Sequence, residues 1–340
     1  MSRAPDVSIV VVSHGSAEDL AVSLPAAAGQ QDVSSEVLVV ENGDPSVSRT
    51  IAAAHGARFL PQPTNLGFAG GANAGIAASS GRYVLTLNPD CRLDARFCAA
   101  LVRRLDAPDA ADVGSASGRI GRAEGPKLSP IPVLDSTGIV FTASGRHFDR
   151  DAGAPDSAAV GAEPRAVAAP KWPRPRRREI AGVTGAAGFY RRSALDSVRI
   201  STGWFDEDFF LYREDADLAL RLRRAGWRCL FVPEAVAWHR RRNLPERRRE
   251  MSAAANYHSV KNRFLLRINN APVAEFRRLP TLARDLVVFA ACLVVERSSL
   301  PAFSWLLKNR RRLLRKRAEI AAIRPSATGA VAAGRRGTRG

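Results

Sequence analysis

The first part of the chain alternates between short β-branched runs and stretches with a helical pattern. Strands are predicted at Val7–Val12 and Glu36–Val40, with a helix at Ala17–Ala28 between them. Runs that are apolar at successive positions are typical of parallel strands covered on both faces. This alternation predicts an open, Rossmann-like α/β sheet with right-handed crossover connections.

The same alternation continues to residue 87. A helix is predicted at Val47–His55, a weak strand at Arg58–Leu60, a glycine-rich loop entering a helix at Gly67–Ser79, and a strand at Arg82–Leu87. Sheets of this kind bind ligands at the carboxyl ends of their strands. The polar residues predicted at those ends, and therefore in a ligand site, are Ser13, His14, Glu41, Asn42 and Asn88.

A carboxylate, Asp90, directly follows the last of these strands. In that position it could hold a divalent cation against phosphate oxygens. Asn88-Pro89-Asp90 is also an ordinary turn sequence, so the metal-binding interpretation depends on a second acidic segment further along the chain.

That second segment places Glu214 and Asp215 at the start of a predicted helix. The helix dipole would explain one or two carboxylates, but it does not explain the aromatic residues that precede them. We therefore expect Glu214 and Asp215 to be catalytic. Trp204, Phe210 and Tyr212 are expected to form an acceptor-binding wall. The next predicted strand ends at His239, which is a candidate metal ligand together with Asp90.

The run Asn65–Gly75 is rich in glycine and asparagine but does not have the GxGxxG spacing of dinucleotide-binding proteins. Glycines allow a close backbone approach, and asparagine amides can contact a nucleotide or a sugar. A plain loop–helix junction is the alternative interpretation. The residues predicted to bind a donor here are Asn65, Gly67, Gly70 and Asn73.

The net charge of +18 is confined to the last part of the chain. Residues 1–239 carry 27 basic and 27 acidic side chains, whereas residues 240–340 carry 24 basic and 6 acidic ones. This asymmetry indicates a nearby anionic surface, either nucleic acid or anionic lipid. No nucleic-acid-binding motif is present, so lipid is favoured and no nucleic-acid partner is expected.

Helices are predicted at Ala253–Arg267, Leu279–Val295 and Ser304–Ile320, and the last of them combines leucines with seven basic residues. That is the composition of an interfacial helix. We expect residues 1–240 to form a catalytic domain, 241–325 a helical membrane-associating region, and 326–340 a disordered tail. Residues 149–178, rich in Ala, Gly and Pro, are predicted to be a mobile lid. The expected location is cytoplasmic, peripheral on the inner face of the cell membrane.

Three motifs in this order, Asn65–Gly75, Leu87–Asp90 and Phe205–His239, resemble those of family 2 glycosyltransferases with the nucleotide-diphospho-sugar (GT-A) fold. Bacterial rhamnosyltransferase-like members are the most similar, over roughly Val7 to Asn269. The resemblance implies that Asn88-Pro89-Asp90 occupies the family's DxD position, with asparagine replacing the first acid. It implies that Asp215 is the general base and His239 a metal ligand. Glu41 stands where many relatives have an aspartate that contacts the base or ribose.

The resemblance also implies an inverting transferase with Mg²⁺ or Mn²⁺ as cofactor. The donor would be a nucleotide-diphospho-sugar, with dTDP-rhamnose favoured, and the acceptor a glycan or polyprenyl-linked sugar of the cell envelope. Two alternatives share the fold. A sugar-nucleotide pyrophosphorylase should have a glycine-rich basic loop after its first strand, whereas this chain has Ser13–Glu18 there. A non-catalytic sugar-nucleotide-binding protein stays open because the DxD position lacks one acid.

Overall fold

The predicted alternation of strands and helices is present in the structure, a computed structural model that describes residues 4–142, 146–156, 178–241, 252–272 and 279–325. The strands are β1 (Val7–Ser13), β2 (Ser35–Glu41), β3 (Arg58–Pro61), β4 (Tyr83–Leu87), β5 (Cys91–Leu93), β6 (Val113–Glu124), β7 (Ser129–Ser136), β8 (Ile139–Phe141), β9 (His147–Asp149), β10 (Glu179–Ile180), β11 (Ala187–Arg191) and β12 (Arg228–His239). The helices are α1 (Ala17–Ala28), α2 (Pro45–Ala54), α3 (Gly67–Ala77), α4 (Phe97–Leu105), α5 (Arg192–Ser197), α6 (Glu214–Arg224), α7 (Ala253–Asn270), α8 (Leu279–Val294), α9 (Pro301–Lys308) and α10 (Arg310–Ala321).

Within the described ranges, ten strands form one sheet in the order β10-β12-β6-β11-β4-β1-β2-β3, with β5 added beside β12 and β7 beside β6. Strands β1 to β4 pair in parallel, whereas β11 runs antiparallel between β4 and β6. The sheet is therefore open and mixed, which confirms the predicted α/β class.

Strand β1 shows why a continuous apolar run was the right indication of a central strand. Val11 packs with Leu24 of α1 on one face of the sheet. Val10 packs with Ile76 of α3 and with Leu218 of α6 on the other face. Helix α3 lies especially close to the sheet, because a Cβ atom at Gly75 would be 2.2 Å from Val10 Cγ1. That glycine therefore serves helix–sheet packing.

The carboxyl-terminal helices pack against the acidic segment that precedes α6. Lys316 of α10 is only 3% exposed, and its Nζ lies 2.6 Å from Asp206 Oδ2 and 2.5 Å from Asp208 Oδ2. Arg312 Nη1 lies 2.7 Å from Asp208 Oδ1. Buried carboxylates need such counter-charges, so part of the basic excess neutralises this loop. This differs from the expectation that all the basic residues of Ser304–Ile320 face a membrane.

Two further predictions about the chain's last third can be compared with the structure. The single helix expected at Ser304–Ile320 is two helices, α9 and α10, that meet at Asn309. Among the described residues no single helix is long and apolar enough to cross a bilayer. Helix α8 and the segment Arg297–Lys308 together have the length and the apolar composition of a membrane span, but they are bent relative to each other by 116°.

The predicted lid and tail fall largely on residues that the structure does not describe. Of the lid, only residues 149–156 and Arg178 lie inside the described ranges, and Asp149 is the last residue of β9. Residues 157–177 and the tail at 326–340 lie outside them.

Candidate active site

Two of the polar residues predicted at the strand ends are used within the protein. Glu41, at the end of β2, is fully buried, and its Oε2 accepts hydrogen bonds from Ser13 Oγ and Ser48 Oγ, each at 2.7 Å. Its Oε1 accepts from the backbone N–H of Gly43 at 2.8 Å. Glu41 and Ser13 therefore hold the turns after β1 and β2 in place, which differs from the expectation that they contact a donor.

The amides of Asn42 and Asn73 are occupied in the same way. Asn42 Nδ2 donates to the carbonyl of Gly67 at 2.9 Å. Asn73 Nδ2 donates to the carbonyl of Phe205, and its Oδ1 accepts from the Phe205 N–H, both at 2.9 Å. Asn73 thereby ties α3 to the acidic segment. The predicted donor contact of Asn73 is thus replaced by a structural role.

The glycines of this run also face the protein. Gly67 has a φ of +67°, and a Cβ atom there would be 2.4 Å from the carbonyl oxygen of Phe210. A Cβ atom at Gly70 would be 2.7 Å from Leu66 Cβ. The expected donor-binding glycines therefore allow the loop to pack closely against its neighbours.

Three of the predicted donor-binding residues keep polar atoms at the accessible edge of the sheet. His14 and Asn65 are exposed, and His14 Nε2 lies 3.5 Å from Asn65 Nδ2. Asn88 is partly buried, and its Nδ2 lies 3.5 Å from His239 Nε2. These side chains stay candidates for contact with a donor.

Asp90 and His239, from distant parts of the sequence, meet at this edge. Asp90 Oδ1 lies 3.2 Å from His239 Nε2, and His239 Nδ1 lies 2.8 Å from Asp135 Oδ2. Strand pairing explains the meeting, because His239 at the end of β12 lies opposite Cys91 of β5. Within the described residues no group of three or more His, Cys, Asp or Glu side chains is arranged to hold a metal ion. Asp90 and His239 are therefore a pair and not a complete ligand set.

The charges around this pair affect the protonation of His239. Burial disfavours the charged imidazole, but hydrogen bonds with Asp135 and Asp90 outweigh burial and raise the pKa of His239 to about 9. Arg241 adds a positive charge, since its Nη1 lies 3.4 Å from Asp135 Oδ1. Arg241 also forms an ion pair with Asp149.

Asp215 lies at the start of α6 and accepts two backbone hydrogen bonds. Its Oδ2 accepts from the N–H of Gly185 at 2.9 Å, and its Oδ1 from the N–H of Ala216 at 2.7 Å. Burial and then the negative charge of Asp149 raise the pKa of Asp215 to about 6. A carboxyl group with that pKa is largely deprotonated at pH 7 and is more basic than an exposed one.

Glu214, the other half of the acidic pair, is in a different environment. It is buried, and its Oε2 has no hydrogen-bond partner among the described residues. Burial and the neighbouring Asp215 charge raise the pKa of Glu214 well above its usual value. Burial and the neighbouring charge favour the protonated form of Glu214, so Asp215 is the better candidate for the base.

A two-residue backbone segment connects the Asp90–His239 pair to Asp215. Gly185 donates its N–H to Asp215, and the carbonyl of the next residue, Ala186, accepts the N–H of Asn88 at 3.0 Å. The turn after β4 and the start of α6 are therefore hydrogen-bonded to two adjacent residues, Ala186 and Gly185. The arrangement brings a basic carboxylate close to a pair of side chains suited to a cation.

The loop before Asp215 has a strained backbone. Phe210, Tyr212 and Arg213 have φ values of 65°, 68° and 74°, which non-glycine residues rarely adopt. Each such residue costs about 1–3 kcal/mol unless surrounding contacts hold it. One side chain that holds this loop is Asn262 on α7, whose Nδ2 lies 2.7–2.8 Å from the carbonyl oxygens of Phe209, Leu211 and Tyr212.

The three residues of the predicted aromatic wall are placed differently from one another. Phe210 and Tyr212 are partly exposed, and the Phe210 ring stacks on His258 at a centroid distance of 4.7 Å. Trp204 is instead buried in the core, where its Nε1 donates to Asp196 Oδ1 at 2.8 Å. Trp204 is thus a packing residue, contrary to the expected acceptor contact.

We expect Asn262→Asp to lower kcat about 10- to 100-fold, since small displacements of catalytic groups cost about 10²-fold in rate. The carboxylate accepts hydrogen bonds only, so the three loop carbonyls lose the Asn262 donor, and among them Phe209 keeps its bond from the Leu211 N–H. Steady-state kinetics and donor calorimetry on the same preparation would measure the effect. The dissociation constant of the donor should stay within about threefold, because the hydrogen bonds of Asn262 Nδ2 go to this loop.

Asn309→Asp is the matched control, because it makes the same chemical change at the α9–α10 junction, where Asn309 Nδ2 donates to the carbonyl of Trp305. A kcat of Asn262→Asp within twofold of the control would contradict the role of Asn262 as a positioning residue.

Sequence reasoning missed Asp135, Arg241 and Asn262 in this site. Asp135 lies near the end of β7, a strand that was not predicted, and 104 positions separate it from His239. A strand-end aspartate was the signal that could have indicated it. The position of Asn262 inside α7 carried no comparable signal.

Two family models match overlapping parts of the chain. The family model for glycosyl transferase family 2 matches residues 8–199, and the model for glycosyl transferase family group 2 matches residues 175–257. The first match covers more than half of the chain and includes Asp90. The second includes Asp215, His239 and the start of α7.

Two characterised relatives are similar in sequence. The chain is 28% identical over 250 residues to the N-acetylglucosaminyl-diphospho-decaprenol L-rhamnosyltransferase of Mycobacterium tuberculosis, a match of 66% of this chain and 72% of that protein. It is 30% identical over 157 residues to the succinoglycan biosynthesis protein ExoO of Rhizobium meliloti, covering 42% of this chain and 45% of that one.

Among solved structures, GalNAc-T7 crystallised with UDP, GalNAc and Mn²⁺ is similar with a TM-score of 0.56 and 12% sequence identity. The match covers 79% of this chain and 48% of that chain, so this chain corresponds to about half of that larger protein. At this level of identity the similarity supports the fold.

Proposed function

The chain belongs to glycosyl transferase family 2, and we propose that it transfers a sugar from a nucleotide-diphospho-sugar to an acceptor hydroxyl with inversion at the anomeric carbon. The observation that carries this proposal is Asp215, a basic carboxylate joined through Gly185 and Ala186 to the Asp90–His239 edge. This arrangement suits a reaction in which a base and a diphosphate site face the same carbon atom.

In the proposed reaction Asp215 removes the proton of the acceptor hydroxyl while that oxygen forms a bond to the anomeric carbon. The bond between the anomeric carbon and the donor diphosphate breaks in the same step, and the nucleoside diphosphate leaves. One displacement inverts the anomeric centre, so a second catalytic carboxylate is unnecessary. Glu214, which is buried beside Asp215, is assigned no proton transfer in this step.

The proposed cofactor is Mg²⁺ or Mn²⁺, held by Asp90 and His239. The chemistry of the pair suits such an ion, because a carboxylate oxygen and an imidazole nitrogen lie 3.2 Å apart and Asp135 orients the imidazole through Nδ1. Mg²⁺ is commonly held by one or two carboxylates with substrate phosphates and water completing its shell. When bound, the cation would neutralise charge on the leaving diphosphate. Nε2 of His239 must lose its proton to bind it.

For the donor we propose dTDP-rhamnose, and for the acceptor a lipid-linked sugar of the cell envelope. Support comes from the Mycobacterium tuberculosis relative, whose name specifies rhamnose transfer to N-acetylglucosaminyl-diphospho-decaprenol. A polyprenyl-linked acceptor would also suit a peripheral position at the inner face of the cell membrane.

Calorimetry and product release with a panel of donors test this function. The panel is dTDP-rhamnose, UDP-sugars and GDP-mannose, each with and without Mn²⁺. We expect dTDP-rhamnose to bind in the presence of metal, and dTDP to be released when a polyprenyl-diphospho-sugar acceptor is added. Donor binding without any release under these conditions would instead favour a non-catalytic sugar-nucleotide-binding protein.

Asp90→Ala should weaken metal-dependent donor binding by at least the roughly 10- to 100-fold that loss of an outer-shell partner costs. His239→Ala should weaken it less, because the carboxylate is the charged ligand. Asp109→Ala is a matched control, since Asp109 forms only a surface ion pair with Arg104. Wild-type activity that is unchanged by EDTA would refute the metal assignment.

A further inference from the structure

The solvent-facing side of α8 is entirely apolar. Between residues 279 and 295 every exposed side chain is aliphatic, aromatic or proline. Leu286 is 69% exposed, Val294 77% and Val295 82%. Soluble proteins rarely leave such a continuous apolar face in contact with water.

The opposite side of α8 is firmly packed. Cys292 is buried against Val260 of α7 and Ala302 of α9, and the Phe289 and Phe303 rings meet edge to face at 5.0 Å. Asp285 of α8 is directed inwards, because it pairs with Arg267 of α7. The helix therefore presents an apolar face outward while Asp285 contacts the protein.

Only part of the basic cluster on the next two helices is used by the protein. Arg312 and Lys316 pair with Asp208, and Arg317 donates to the carbonyls of Ile268 and Ala271. The basic side chains that stay exposed are Lys308, Arg310, Arg311 and Arg315. Leu307 and Leu314, 66% and 60% exposed, lie among them.

We infer that the outer face of α8 and the exposed basic residues of α9 and α10 form one docking surface for an anionic lipid bilayer. The apolar side chains would enter the boundary between headgroups and acyl chains, and the four cations would pair with anionic headgroups. A second copy of this chain is a poorer occupant, because on a shared docking surface the four cations of one copy would repel those of the other.

This inference does not rest on the proposed sugar transfer, since binding to lipid is measured without donor or acceptor. The test is flotation of the full chain with liposomes of neutral phosphatidylcholine, or of phosphatidylcholine with phosphatidylglycerol, over a series of salt concentrations. Three variants accompany the wild type. The charge variant is Lys308→Glu, Arg310→Glu, Arg311→Glu and Arg315→Glu together. The apolar variant is Leu286→Ser, Val287→Ser and Val294→Ser together.

The matched control variant changes net charge equally at exposed sites elsewhere: Arg49→Glu, Arg103→Glu, Lys127→Glu and Arg224→Glu. The wild type and the control variant should float with anionic liposomes, less at high salt and not with neutral ones. The charge and apolar variants should each lose on the order of tenfold or more in partitioning.

Equal flotation with neutral and anionic liposomes, no flotation of the wild type, or flotation of the charge variant equal to that of the control would overturn the inference. Light scattering of the same samples identifies the other occupant. A wild-type dimer that the apolar variant abolishes, without lipid binding, would assign the surface to a second copy. Circular dichroism of the variants verifies folding, and all substituted side chains are exposed.

Discussion

Replacing Asp215 by asparagine is expected to lower kcat about 10²–10⁴-fold, the usual range for loss of a general base. The asparagine keeps the shape of the side chain, and its Oδ1 can accept a backbone N–H bond, but it cannot take a proton from the acceptor. Donor affinity should change little because the Asp90–His239 pair is untouched. Rapid-quench kinetics with saturating donor would measure the chemical step. A variant that retains more than a third of wild-type turnover would show that Asp215 is not the base.

The pH dependence of kcat/KM tests the role of Asp215 independently. Since the pKa of Asp215 is raised to about 6, the reactive carboxylate increases as pH rises through that value. With the metal ion in saturating excess at each pH, wild-type kcat/KM should therefore rise between about pH 5 and 7, since this parameter reports the free enzyme. The residual activity of Asp215→Asn should lack that rise.

Arg221→Met is expected to destabilise the fold by about 3–5 kcal/mol, as removal of one partner from a buried ion pair usually does. Arg221 is 0% exposed, and its Nε lies 2.8 Å from Asp217 Oδ2. Its Nη1 donates to the carbonyl of Val198 and its Nη2 to the carbonyl of Trp204, each at 2.7 Å. Methionine fills a similar length but leaves these acceptors without their donor. Urea unfolding monitored by tryptophan fluorescence would measure the change in midpoint.

Arg224→Met provides the comparison for this experiment, because Arg224 is an exposed arginine on the same helix. Its unfolding midpoint should match that of the wild type, as exposed substitutions usually change stability by at most about 0.5 kcal/mol. If both variants unfold at the same urea concentration, the guanidinium network of Arg221 is not needed for stability.

The sequence predicted the parallel strands β1 to β4 better than the mixed part of the sheet around β6. Strands such as β1 can be recognised from runs of valine and isoleucine, because both of their faces are buried. Strand β6 contains glycine, serine and alanine at positions where helices and rings approach closely. A Cβ atom at Gly118, for example, would be 2.5 Å from the carbonyl oxygen of Ala235. Small residues that allow close packing have a low intrinsic propensity for strands. For this reason β6 and β7 were not predicted.

The residues of the candidate site were also predicted only in part. Asp90, Asp215 and His239 lie next to the ends of recognisable elements, and sequence position alone indicated them. Asn73 and Glu41 lie at equally suggestive positions, but the structure uses their polar atoms for internal hydrogen bonds. A sequence can show where a polar side chain falls along an element. It cannot show which neighbour already occupies that side chain, whether 28 residues away, as Ser13 is from Glu41, or 132 residues away, as Phe205 is from Asn73.

The contacts that α7 and α10 make with the acidic segment have a consequence for the design of chimeras between relatives of this chain. Asn269 donates to Asp206 and Asp217, and Lys316 pairs with Asp206, so two buried carboxylates of one region depend on partners from another. A crossover placed just after His239 would separate those partners. A chimera that exchanges acceptor preference between relatives should therefore fold only when residues 204–217 are transferred together with α7 and α10.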